Sequence, residues 1–113
     1  MFALYGLKNC DTCRKASAWL TAHELSHEWH DLRAEGVDQA ILTEWACRLG
    51  WENLLNRKST TWRGLTETDR QDIDREKALA LMLAHPALIK RPILVAGDKL
   101  LLGFVSDLYA ELP

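Results

Sequence analysis

A chain of 113 residues, 48% hydrophobic and 27% charged, has the make-up of one globular domain that can bury a core without disulfide staples. Its formal net charge of -2 offers no strong field to nucleic acid or to an anionic membrane surface. No apolar run approaches the ~18 residues of a spanning helix, and the opening MFALYGLKNC lacks the basic-then-apolar layout of a secretory signal, so neither membrane nor nucleic acid is an expected partner.

In chain order, FALY at residues 2–5 reads as a short buried strand closed by Gly6. A helix is predicted from Asp11 to about His23, with Ala16, Trp19 and Leu20 at helical spacing. HEWHDL at 27–32 reads as a second strand. Gly36 breaks the chain, and Asp38 caps a helix to about Leu49 that presents Ile41, Leu42, Trp45 and Leu49 on one face before Gly50 ends it. Residues 51–74 are expected to form short helical turns, one starting at Thr66. REKALALMLA at 75–84 is a helix stopped by His85 and Pro86. ILVA at 93–96 and KLLLGF at 99–104 pair as a hairpin across Gly97-Asp98, and Ser106 or Asp107 opens a terminal helix to Leu112. The order β-α-β, helical middle, β-β-α predicts an α/β thioredoxin-like fold. A four-stranded mixed sheet forms one domain over 1–113, with a helical insertion at about 37–85.

Three cysteines are too few and too odd for a disulfide framework, and a reducing, cytoplasmic setting is the expectation. Cys10 and Cys13 fall where the first strand hands over to the first helix. Unpaired N–H groups and the partial positive charge of a helix N-terminus stabilise a thiolate there, so the Cys10 thiol should be acidified. Lys8, Arg14 and Lys15 add positive charge. Cys13, three residues on, lies on the same side of the helix, close enough for a disulfide. The chemistry on offer is thiol–disulfide exchange, Cys10 attacking and Cys13 resolving or tuning. Zinc would need two more ligands. Cys47, His23, His27, His30 and His85 form no second CxxC and no tight histidine pair, so no metal site is expected. Pro92 at the entry to the third strand, preceded by Arg91, is the second redox signal.

CDTCR at 10–14, LLNRKSTTWRGL at 54–65, HPALIKRPILV at 85–95 and LLLGF at 100–104 resemble the arsenate reductase (ArsC)/Spx family over nearly the whole chain, above all its small YffB-like reductases. The resemblance implies that Cys10 is the nucleophile, that Arg14, Arg57 and Arg91 hold an anion, and that Pro92 is the family's cis-proline. Three positions depart from arsenate reductases. Lys8-Asn9 replaces an Asn-Pro, Cys13 stands where Ser is common, and no arginine falls near Gly103.

The resemblance therefore implies a glutathione-dependent thiol–disulfide reductase. Glutathione is the co-substrate, no cofactor is bound, and Lys8, Asn9, Arg57, Arg91 and Pro92 form its binding set. Glutaredoxin or an oxidised thiol is the further partner. Arsenate reduction with glutathione and an Spx-like redox switch that binds RNA polymerase are the alternatives.

Overall fold

A computed structural model describes residues 2–112. The elements run β1 (Phe2–Gly6), α1 (Asp11–Ala22), β2 (His27–Asp31), α2 (Leu32–Glu35), α3 (Gln39–Leu49), α4 (Trp51–Leu54), α5 (Thr60–Arg63), α6 (Glu67–Arg70), α7 (Arg75–Ala84), β3 (Ile93–Ala96), β4 (Lys99–Leu102) and α8 (Ser106–Tyr109), with a 3-10 turn at Pro86–Leu88 before β3. The chain divides into two compact units. One takes the described residues up to Glu35 and from Arg91 on; the other is Gly36–Lys90.

The first unit is built on a four-stranded sheet of order β2-β1-β3-β4. β1 pairs in parallel with β2 and antiparallel with β3, and β3 pairs antiparallel with β4. Only a crossover can join parallel neighbours, and α1 supplies it. Register sets Leu4 beside Leu94, and Leu94 beside Leu101. Alternation then sends Phe2, Leu4 and Gly6 to one face. Leu4, Ala16, Leu20, Leu94, Ala96 and Tyr109 form a core there, edged by Phe2, Trp19, Leu25, Leu101, Phe104 and Leu112. Each fully buried leucine contributes roughly 1.5–3 kcal/mol. This is the thioredoxin-like α/β arrangement, with the helical subdomain inserted between its βαβ and ββα parts.

The second unit holds α3 to α7. The Asp38 carboxylate accepts from the N–H groups of Ala40 and Ile41 and so caps α3. Leu42, Trp45 and Ala46 are the buried residues of α3, while Ile41 and Leu49 stay half-buried. Gly50, at φ +88°, makes the turn into α4, a conformation that favours glycine. Ser59, Thr66 and Asp74 cap α5, α6 and α7 through their side chains. An isolated antiparallel bridge, Leu55 to Ile89, ties the end of α4 to the segment before β3.

Three boundaries differ from the sequence reading. Leu32 leaves β2 and opens α2, because Asp31 caps that turn: its carboxylate accepts from Arg33 N–H at 2.8 Å and Ala34 N–H at 3.0 Å. β4 ends at Leu102 rather than Phe104, since Gly103 takes φ +79° and its N–H donates to Pro92 O at 2.8 Å. The last helix ends at Tyr109 rather than Leu112. Tyr109, fully buried, anchors it to the core.

Candidate active site

Cys10 is the N-cap residue of α1, in extended conformation, and makes no side-chain capping bond. The helix N-terminus therefore faces a sulfur rather than a capping oxygen. Burial pushes the Cys10 thiol up. The Cys13 N–H and thiol, the Arg91 guanidinium and the Thr12 N–H together outweigh it and hold the thiol below its ordinary value. Cys13 is the opposite case. It is 1% exposed, and its thiol is pushed up to about 12. Burial is the main cause and the bond and charge of Cys10 add to it, against a Leu7 backbone bond and Arg91. Two cysteines of one motif are split by environment, the Cys10 thiol held below its ordinary value and the Cys13 thiol pushed well above it.

The seat of Cys13 is Gly6. A Cβ at Gly6 would lie 2.4 Å from Cys13 Sγ and 3.0 Å from Trp29 Cη2, so the sulfur rests on bare strand backbone. Beside it opens a cleft of about 200 Å³, lined by Leu7, Lys8, Cys13, Arg14, Ser17 and Trp29.

The loop that delivers Cys10 is held from below. The Asp31 carboxylate accepts from Lys8 N–H at 3.1 Å while capping α2. Backbone bonds that lower Asp31, from Ala34 foremost and then Arg33 and Lys8, outweigh its small burial cost. The Cys10 N–H donates to Leu7 O at 3.3 Å, which closes the turn.

The first unit brings together Cys10, Cys13 and Arg91, whose charge acts on both sulfurs. Pro92 follows Arg91 through a cis peptide bond and is buried. Arg14 is exposed and pairs with Asp11, one turn back on the same helix. Lys8 and Asn9 are exposed in the loop before Cys10. Arg57 belongs to the second unit, where its guanidinium lies 5.6 Å from the Trp62 ring centre. Cys47, in that unit too, is exposed on α3, because its position falls off the buried Leu42–Trp45–Ala46 stripe. Among the described residues no group of three or more His, Cys, Asp or Glu gathers to hold a metal ion. None of the helices among them is long and apolar enough to cross a membrane.

The ArsC family model matches residues 5–112. The chain belongs to the ArsC family. A solved structure of a YFFB protein superposes on this ArsC-family chain with a TM-score of 0.93 at 45% identity, over 97% of this chain and 96% of that one. An uncharacterised protein of Haemophilus influenzae is 44% identical over 109 residues, 96% of each chain. The global transcriptional regulator Spx of Enterococcus faecalis is 30% identical over 111 residues, 95% of this chain and 82% of that one.

Three residues of this site escaped the sequence reading. Asp31 carried a usable signal: an acidic residue followed by LRAE is a helix N-cap pattern. Gly6 reads from sequence only as the end of a strand, since its contact with Cys13 is long-range. Trp29, 40% exposed, has no signal beyond its place in an alternating strand.

Proposed function

We propose that this ArsC-family protein is a glutathione-dependent thiol–disulfide reductase. The Cys10 thiolate attacks the glutathione sulfur of a mixed disulfide. The other thiol leaves as thiolate and takes a proton from water. A second glutathione thiolate then attacks the glutathione sulfur bound to Cys10, which yields oxidised glutathione and restores the Cys10 thiolate. One observation carries the reading: an acidified thiol at a helix N-terminus that shares the field of Arg91. Arg91, Lys8 and Asn9, all in the first unit, are the groups assigned to the glutathione carboxylates and amide.

The test is mass spectrometry after treatment with oxidised glutathione, paired with a thiol-transfer assay. In a Cys13→Ser background the expected result is one glutathione on Cys10, lost with transfer activity in Cys10→Ser. A Cys10→Ser variant that keeps both would overturn the reading.

A second reading is a redox-switched regulator, supported by the resemblance to the Spx protein of Enterococcus faecalis. Its test is capture of the RNA polymerase alpha subunit by the reduced and the oxidised protein, and no capture in either state removes it. Arsenate is the alternative oxidant suggested by the family, decided by turnover with arsenate and glutathione.

A further inference from the structure

We propose that Ser17 and His27 form a relay that takes the proton of Cys13 when Cys13 attacks a disulfide held on Cys10. The proposal rests on the Cys10 chemistry above and assigns Cys13 as the resolving thiol. Ser17 Oγ lies 2.9 Å from His27 Nε2, and His27 Nδ1 lies 3.3 Å from the Leu25 carbonyl oxygen. A carbonyl can only accept, so Nδ1 carries the proton and Nε2 accepts from the Ser17 hydroxyl. The Ser17 oxygen keeps a lone pair for a further donor.

That donor is a water in the cleft, which takes the Cys13 proton. Ser17 follows Cys13 by four residues on α1, so their Cβ atoms are neighbours at about 5–6 Å. Both side chains line the same cleft of about 200 Å³. This is several times the ~30 Å³ share of one water. On its other side His27 lines an open depression with Thr21, Glu24, Leu25 and Ser26, an exit for the proton to solvent. The groups facing His27 are Ser17 from α1, Glu24 and the Leu25 carbonyl from the α1–β2 loop, and Phe2, its uncharged register partner on β1.

Elimination points the same way. The cleft's other polar side chains are Lys8 and Arg14, cations that do not accept a proton. Cys10 is consumed in the mixed disulfide. The Tyr109 phenol, near enough to feel the Cys13 charge, is itself pushed up to about 12 by burial and by that charge. The buried part of the unit supplies no carboxylate, since no charged residue among those described is buried.

The step balances. Cys13 Sγ loses its proton to a cleft water, which passes a proton to Ser17 Oγ as the Ser17 proton moves to His27 Nε2. The Cys13 sulfur attacks Cys10 Sγ, the bond from Cys10 to glutathione sulfur breaks, and glutathione leaves as thiolate. The Cys10–Cys13 disulfide so formed is reduced by two further glutathiones, which leave as oxidised glutathione.

The experiment uses the full chain with Cys47→Ser as background, because Cys47 is an exposed thiol. A nitrothiobenzoate disulfide in excess gives two phases of coloured thiolate: one when Cys10 attacks the reagent, one when Cys13 displaces the aryl thiolate from Cys10. The ratio of second to first rate at neutral pH is the readout. In His27→Gln this ratio should fall about 100-fold, the low end of general-base contributions. Ser17→Ala should fall likewise and Ser17→Thr should recover it; this pair carries the test if His27→Gln does not fold. An unchanged ratio in Ser17→Ala and His27→Gln overturns the relay. A parent that releases no second equivalent overturns it too, while leaving the Cys10 chemistry standing. A parent that releases no first equivalent overturns the Cys10 reading as well.

Discussion

Gly6→Ala is the sharpest probe of how the fold holds the cysteine pair. The new methyl would sit 2.4 Å from Cys13 Sγ, 3.0 Å from Trp29 Cη2 and 3.2 Å from Cys13 Cβ. The first distance is about 1 Å shorter than the ~3.5 Å at which nonbonded contacts become favourable. Trp29 is partly exposed and gives way at little cost. Cys13 does not, because it is 1% exposed and its Cβ is fixed to α1. Either its side chain leaves its rotamer or α1 lifts from β1. Overpacking of this kind costs about 1–3 kcal/mol, and two rigid backbones place this case near 2–3 kcal/mol. In a domain of this size that lowers Tm by roughly 10 °C.

The displaced sulfur also takes its hydrogen bond from Cys10, so the Cys10 thiol should move back toward its ordinary value. Urea melts and the pH profile of Cys10 alkylation measure the two effects. A double-mutant cycle isolates the contact: removing the sulfur with Cys13→Ala should relieve most of the Gly6→Ala penalty, a coupling of about 1–2 kcal/mol. A Gly6→Ala variant as stable as the parent, with the same alkylation profile, would refute the account of the seat.

Arg91→Ala should raise the Cys10 thiol and slow its alkylation near pH 7, while leaving the plateau rate at high pH unchanged, because the guanidinium charge favours the thiolate. Asp31→Ala removes the acceptor of the Lys8, Arg33 and Ala34 N–H groups. The Asp31 carboxyl is held below its usual value, so its stabilisation is full above about pH 4 and fades as pH falls through the folded value. The variant should be less stable at pH 7 and converge on the parent toward pH 2 in urea melts. Tyr109→Phe should be neutral or stabilising by up to about 1 kcal/mol in the same melts, because the Tyr109 hydroxyl is buried and meets no hydrogen-bond partner among the described residues. A loss of more than 1 kcal/mol would show that the hydroxyl is satisfied.

Local signals were the legible ones. Apolar runs at FALY and ILVA, the Asp38 cap, the Gly97-Asp98 turn and the helix stop at His85-Pro86 all depend on neighbours in sequence, and the structure places elements there. The terminal helix ended early, and Leu32 left its strand, where a long-range anchor or an overlooked cap decided the boundary. Within the site, Cys10 at a helix start was legible because helix polarity is local. The pairing of Arg14 with Asp11 was not read, although DTCR sets opposite charges three residues apart. Arg91 was placed at the site as well, while Gly6 under Cys13 was not, because contacts between a strand and a helix leave no trace in spacing.

The unequal cysteines have a consequence in time. Burial raises the Cys13 thiol most, but the hydrogen bond and the charge of Cys10 raise it further, while Arg91 lowers it. Once Cys10 is in a mixed disulfide its negative charge is gone, and with it both contributions. Arg91, no longer shared with a Cys10 thiolate, still acts on Cys13. On the proposed mechanism the buried thiol therefore becomes easier to ionise at the moment its attack is needed, and harder again when Cys10 is freed. On that reading the charge and hydrogen bond of Cys10 hold Cys13 protonated until Cys10 is in a mixed disulfide, a difference that a CxxC spacing alone does not reveal.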